Sequence, residues 1–177
     1  MLHFSMDTTA LIRNHIDRIV VNIGVGRLRK NAHFDSKILP EIVQELSLIT
    51  GQKPSPRPAK KSIAGFRTRE GDVVGLKVTL RGKRMVDFFI RLMQIVLPRV
   101  RDFRGIPQKS VDMVGGLHIG IKDKAVFPEI DMDSSNVSFG LQATIVPKVH
   151  DREQAIDFYK SVGVPLKDLA QESKAKK

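Results

Sequence analysis

Ile19-Val-Val-Asn-Ile-Gly-Val25 alternates with a period of two. Ile19, Val21, Ile23 and Val25 fall on one face; Arg18, Val20, Asn22 and Gly24 fall on the other. Successive side chains of a strand point to opposite sides of its sheet, so this spacing predicts a half-buried strand with a polar outer face. Val73 to Arg81 repeats the pattern, with Val74, Leu76, Val78 and Leu80 inward and Lys77, Thr79 and Arg81 outward. A sheet that is wet on one face needs its other face covered, and the segments around these strands carry helical periodicity.

Ser36 to Thr50 places Ile38, Leu39, Ile42, Val43, Leu46 and Ile49 at helical spacing, with Asp35 or Ser36 available as a cap, Pro40 in the first turns and Gly51 after the end. Lys83 to Leu97 is a second helix with Met85, Phe88, Phe89, Leu92, Met93 and Val96 on its buried face, and Pro98 marks its end. Asp151 starts a third, with Gln154 at capping-box spacing, a stripe of Ala155, Ile156, Tyr159 and Val162, and Gly163 and Pro165 closing it. The alternate prolines of Lys53 to Lys61 cannot donate to a ladder, so that stretch is expected as an extended edge strand or arm. Further strands are expected at Leu117 to Ile121, Ala125 to Ile130 and Leu141 to Val146. The fold class expected is α+β: a two-layer sandwich, mainly antiparallel sheet, with helices packed on one face. The organisation expected is an N-terminal segment (1–15), a single domain (16–166) and a basic C-terminal tail (167–177).

The chain has 177 residues and a net charge of +11, with no Cys and no Trp. Between Lys53 and Lys109 there are 15 Lys+Arg against 4 Asp+Glu; the remainder holds 15 of each. The whole excess therefore sits in one third of the chain, and a field so concentrated attracts a polyanion. Disulfides and thiolate metal sites are excluded. No apolar run approaches the ~20 residues of a membrane span, and the first nine residues carry no signal-peptide pattern.

Catalytic signatures are missing. Gly24-Val-Gly26 follows a strand, but the third glycine of a dinucleotide loop would fall at Arg29. There is no phosphate loop and no nucleophile elbow. His3, His15, His33, His118 and His150 show no ligand spacing. Glu129, Asp131 and Asp133 alternate and could share a strand face, either as a magnesium site of an RNA-processing enzyme or as a solvated acidic strand end. A basic membrane-surface protein is a further alternative, through the Lys83 to Leu97 helix.

The outer faces of the two clear strands fit RNA better. Arg18, Lys77 and Arg81 offer cations for phosphates; Asn22 and Thr79 offer amide and hydroxyl groups for sugars and base edges. That mixture suits the shallow minor groove of an A-form helix. The loop from Lys60 through Lys61, Ser62, Ile63, Ala64, Gly65 and Phe66 to Arg67 sets two apolar side chains among cations. Its tip either reaches a nucleic-acid partner or folds Phe66 back into the core.

These stretches resemble the bacterial type of the ribosomal protein L-five family. The matching segments are Arg18-Ile-Val-Val-Asn-Ile-Gly-Val-Gly26, Ile49-Thr-Gly-Gln-Lys-Pro54, Ala59-Lys-Lys-Ser-Ile-Ala-Gly-Phe66, Lys77-Val-Thr-Leu-Arg-Gly82, Leu97-Pro-Arg-Val-Arg-Asp-Phe-Arg-Gly105 and Phe127-Pro-Glu-Ile-Asp131, in the family's order. The resemblance implies a non-enzymatic, cofactor-free protein of the cytoplasmic ribosome, in the central protuberance of the large subunit. Implied partners are 5S rRNA and large-subunit rRNA, P-site tRNA at the Ser62 to Phe66 loop, and neighbouring ribosomal proteins including one of the small-subunit head; no membrane is implied. It also implies that Arg18, Asn22, Gln52 and Thr79 contact RNA. Ser110 to His118 departs from the family's usual Phe-Asp-Gly-Arg-Gly-Asn-Tyr type of stretch, and the N-terminus is shorter than usual.

Overall fold

A computed structural model describes residues 6–31, 33–131, 135 and 137–167. Among these, five strands form one antiparallel sheet: β1 Ile16–Gly24, β2 Ser55–Pro58, β3 Val73–Leu80, β4 Leu117–Ile121 and β5 Leu141–Pro147. Their order is β2-β3-β1-β5-β4. Four helices pack against the sheet: α1 Met6–His15, α2 Leu39–Thr50, α3 Gly82–Arg91 and α4 Arg152–Ser161. The expected α+β class is what the chain adopts. The chain forms two compact units, one from the described parts of Met1–Ile19, Arg81–Ile119 and Ala143–Lys177, the other from Val20–Leu80 and Gly120–Gln142.

In the second unit, β1 and β3 carry the alternation that the sequence predicts. Val21, Ile23, Leu76, Val78 and Leu80 are buried, as is Val25 just past β1. The prolines of β2 sit on an outer strand antiparallel to β3, with Ser55 facing Lys77 and Pro56 facing Leu76, where a missing N–H costs no ladder bond. Helix α2 buries Ile42, Leu46 and Ile49 and ends at Gly51. Gly51 takes φ 66° and donates its N–H to the Ser47 carbonyl at 2.8 Å; the left-handed conformation there favours glycine.

In the first unit, α3 buries Met85, Phe88 and Phe89. The stripe continues through Leu92, Met93 and Val96, each such side chain contributing about 1.5–3 kcal/mol relative to exposure. Helix α4 buries Ala155, Ile156 and Tyr159, and Asp151 caps it by accepting the Gln154 N–H at 3.0 Å. Helix α1 corresponds to no periodic signal in the sequence; its Ile12 is fully buried.

Three expectations need correction. Asp35 and Ser36 do not cap α2. They lie inside a wide π turn, Phe34–Ile38, that precedes it, and no side chain caps that turn. Pro98 does not end the α3 stripe. A second π turn, Leu92–Val96, follows α3, and Pro98 lies within a last helical turn, Leu97–Arg99. Both wide turns end two residues before a proline, Pro40 or Pro98. Opening the ladder there accommodates a ring that lacks an N–H and crowds the preceding turn. Finally, Ala125 to Ile130 is not a strand. Lys124–Val126 is a 3-10 turn whose Ala125 N–H is accepted by the Asp123 carboxylate, and Phe127 and Ile130 are buried three apart. Lys124 turns inward there to reach Glu45, which is incompatible with strand alternation.

Candidate nucleic-acid interface

The open sheet face is organised by one backbone bond. The Val25 N–H donates to the Val74 carbonyl at 3.0 Å. Facing residues of an antiparallel ladder keep a constant sum of residue numbers, so Asn22 falls opposite Lys77 and Val20 opposite Thr79. Burial agrees, since the buried residues Val21 and Ile23 then face the buried residues Val78 and Leu76, while Val20, Asn22, Lys77 and Thr79 are all half-buried. The helix-free side of these strands thus presents an amide, an ammonium and a hydroxyl in neighbouring positions.

Further along the same unit, an open depression of about 410 Å³ is lined by Asn22, Gly24, Gly120, Lys122 and Gln142 among others. Gln142 and Gly120 alternate with the buried residues of β5 and β4. Sequence reasoning passed over them, although the alternation of Leu141 to Val146 was visible. Gln52 is half-buried just after α2, beside exposed Lys53.

In the first unit, Arg18 is half-buried on the polar side of β1, and its guanidinium donates to the Asp17 carboxylate at 2.5 Å. The β1 alternation breaks at this point, because Ile16 and Ile19 are both buried. Arg81 is exposed, directly after β3. The unit's polar sheet positions include His118 and Thr144, which hydrogen-bond each other at 3.1 Å.

The loop following β2 resolves the alternative left open at Phe66. Phe66 is 78% exposed and Ile63 50% exposed. The tip is nevertheless built: the Ile63 N–H bonds the Thr68 carbonyl at 2.9 Å, the Ser62 hydroxyl accepts the Glu70 N–H, and Arg67 takes a left-handed φ of 52°. Lys60, Lys61, Ser62, Ala64, Gly65 and Arg67 are all exposed around it.

A second turn, in the first unit, carries the segment that departs from the family's pattern. Asp112 accepts backbone N–H groups from Val114 and Gly116 at 2.9 and 2.7 Å, and its other oxygen meets His118 Nε2 at 3.1 Å. Burial pushes the Asp112 carboxyl up, but the Gly116 N–H, the His118 ring and the Val114 N–H outweigh it and hold it below the usual carboxylate range. Gly115 has φ 84°, and a side chain there would meet the Ala155 Cβ at 2.7 Å. The Tyr159 hydroxyl donates to the Gly115 carbonyl at 2.8 Å. At the tip of this clamped turn Met113 and Val114 are exposed.

No group of three metal-ligating side chains occurs among the described residues. Glu129 and Asp131 lie on an irregular segment beside Glu41 and Glu45 of α2; Asp133 lies outside the described residues, as does the tail beyond Lys167. No helix among the described residues is long and apolar enough to cross a membrane. The apolar stripe of α3, which a membrane-surface reading requires to be free, is buried.

Comparison with known proteins fits this geometry. Residues 14–69 match the family described as Ribosomal protein L5, and residues 73–166 match the model for the C-terminus of the same ribosomal family. The large ribosomal subunit protein uL5 of Lacticaseibacillus casei (strain BL23) is 50% identical over 151 residues, 85% of this chain and 82% of that protein. Its namesake in Syntrophomonas wolfei is 47% identical over 152 residues, covering 86% and 83%. That of Halothermothrix orenii is 43% identical over 151 residues, covering 85% and 82%.

Proposed function

The chain belongs to the ribosomal protein L5 family, and on that premise we propose that its open sheet face docks 5S rRNA in the central protuberance. As a family member it is a non-enzymatic structural component of the large ribosomal subunit. The observation that supports the docking face is the adjacency of Asn22 with Lys77 and of Val20 with Thr79. A cation for phosphate stands beside an amide and a hydroxyl that can reach 2′-hydroxyls and base edges. No aromatic side chain lies among these positions, which favours a duplex surface over stacked single strands. Gln52 extends the set within its unit; Arg18 and Arg81, in the other unit, are further RNA contacts in this reading.

The exposed Phe66 tip with its flanking cations is the part that reaches P-site tRNA. A contact with a protein of the small-subunit head is assigned to the clamped turn at Met113 and Val114, where it is apolar rather than ionic. Titration of the purified chain against 5S rRNA over a range of salt tests the docking face. With about five phosphate contacts, log K falls against log salt with a slope of about −4 to −5, taking the duplex coefficient. A flat response overturns the reading.

A further inference from the structure

The chain contains six Met and no Cys, so thioethers are its only sulfur. A thioether is the soft nucleophile that a peroxide attacks when no thiol competes, and attack needs access to the sulfur. Three methionines of the first unit differ widely in that access. Met85 of α3 is 1% exposed and Met93 of the wide turn that follows is 7% exposed; both belong to the buried stripe. Met113 is 82% exposed, the largest value among the described large apolar side chains.

The turn that carries Met113 fixes this exposure. The Asp112 N–H donates to the Gly116 carbonyl at 2.9 Å, and the Asp112 carboxylate accepts the Val114 and Gly116 N–H groups, which closes the backbone around the tip. On the core side the Tyr159 hydroxyl holds the Gly115 carbonyl at 2.8 Å. Gly115 lies so close to α4 and the end of β5 that an added Cβ would meet the Ala155 Cβ at 2.7 Å and the Pro147 ring at 3.2 Å. The backbone is thus pinned from behind, and the sulfur stays on the water side. Val114 beside it is 54% exposed, so the tip is apolar until its chemistry is changed.

We propose that Met113 is a site of selective, reversible oxidation by hydroperoxides, and that its sulfoxide switches the tip from apolar to polar without loosening the turn. In the step the thioether sulfur attacks one oxygen of hydrogen peroxide. An S–O bond forms, the O–O bond breaks, the sulfur gives up two electrons, and the second oxygen leaves as water after the proton shifts to it. A thiol-dependent sulfoxide reductase reverses the change: two thiols become a disulfide and the oxygen leaves as water. At a buried thioether the same reaction sets a strong dipole inside the core. At Met113 no core atoms depend on the sulfur, so the fold is spared. The consequence for binding rests on the assignment of the small-subunit contact to this tip: a sulfoxide holds its hydrogen-bonded water, and stripping that water costs affinity.

The test treats the purified full chain with dilute hydrogen peroxide and follows sulfoxide at each methionine by peptide mass spectrometry. Met113 is expected to react at least about tenfold faster than Met85 and Met93, with Tm unchanged. Similar rates at the three, or a fall in Tm that tracks the Met113 sulfoxide, overturn the proposal. The oxidised chain is then assembled into large subunits that lack it, and their association with small subunits is followed by light scattering. Association weaker by about fivefold or more is expected, recovered after treatment with methionine sulfoxide reductase and not seen when the Met113→Leu chain receives the same peroxide. A loss that persists in Met113→Leu places the damage at another residue and overturns the switch. Untreated Met113→Asp separates the two readings. If it associates as the parent chain does, the head-protein contact at this tip fails and the binding switch fails with it; equal oxidation rates at the three methionines strike the oxidation site alone and leave that contact standing.

Discussion

Lys124 Nζ lies 2.7 and 2.6 Å from the two carboxylate oxygens of Glu45, with the lysine side chain 1% exposed. The pair ties the Lys124–Val126 turn to helix α2, and the ammonium also sits 4.9 Å from the Phe139 ring centroid. The Ser135 hydroxyl accepts a third hydrogen bond from it. Removing one partner of such a pair strands the other charge, at a cost of about 3–5 kcal/mol. Lys124→Met should therefore lower Tm by about 6–20 °C at this chain length. Glu45→Leu combined with Lys124→Met should recover most of the loss, which thermal denaturation in a double-mutant cycle measures. Equal loss in the single and double variants would show that packing, not charge, holds the segment.

Asn22→Ala and Thr79→Ala each remove one polar group from the proposed docking face. Each should weaken 5S rRNA binding about two- to tenfold, the range of about 0.5–1.5 kcal/mol for a hydrogen bond. Both positions are half-buried among neighbours that remain solvated, so Tm should move by no more than a degree or two. Unchanged affinity in both variants removes these residues from the interface.

Phe66 is almost wholly outside the core, so Phe66→Ala should leave stability within about 0.5 kcal/mol of the parent. Chemical crosslinking of reconstituted ribosomes to P-site tRNA at this loop should fall. A large drop in Tm with unchanged crosslinking would place Phe66 in a structural role.

Tyr159 carries a pH dependence whose sign follows from its burial. Desolvation, with the Asp112 charge added, raises its hydroxyl well above the usual tyrosine value. The neutral form is thus favoured in the folded chain. The contribution is fully present below pH ~10, where the unfolded chain still holds the proton, and is lost as pH rises from there through the raised folded value. Tyr159→Phe should cost about 1–3 kcal/mol at pH 7, because the Gly115 carbonyl loses its donor. It should also lessen the decline in stability above pH 10, by up to about 1.4 kcal/mol per pH unit. Urea titrations of both proteins at pH 7 to 11 test this; parallel curves would refute it.

Asp112 works in the opposite direction. Its lowered value means that the carboxylate supports the turn above the ordinary carboxylate range and loses it as pH falls through the folded value. Amide exchange at Val114 and Gly116 should accelerate on acidification, and in Asp112→Ala at neutral pH. Exchange that is slow in both cases would mean that the Gly115 clamp alone holds Met113 and Val114 in place.

Much of this architecture was legible in residue order. Period-two alternation placed Asn22, Lys77 and Thr79 on the wet side of their strands, and helical spacing identified the buried stripes of α2, α3 and α4. Those patterns report one repeated choice between core and water, made residue by residue along a regular backbone. The stretches without such repetition misled. Phe127 and Ile130 looked like strand residues because the sequence does not show that Lys124 must turn inward to Glu45, 79 residues away. The wide turns before Pro40 and Pro98 and the choice of Phe66 for solvent depended on the same kind of information. Local periodicity tells which face of an element is apolar; which other element receives that face, and what a charge meets there, is settled only when distant parts of the chain compete for the same space.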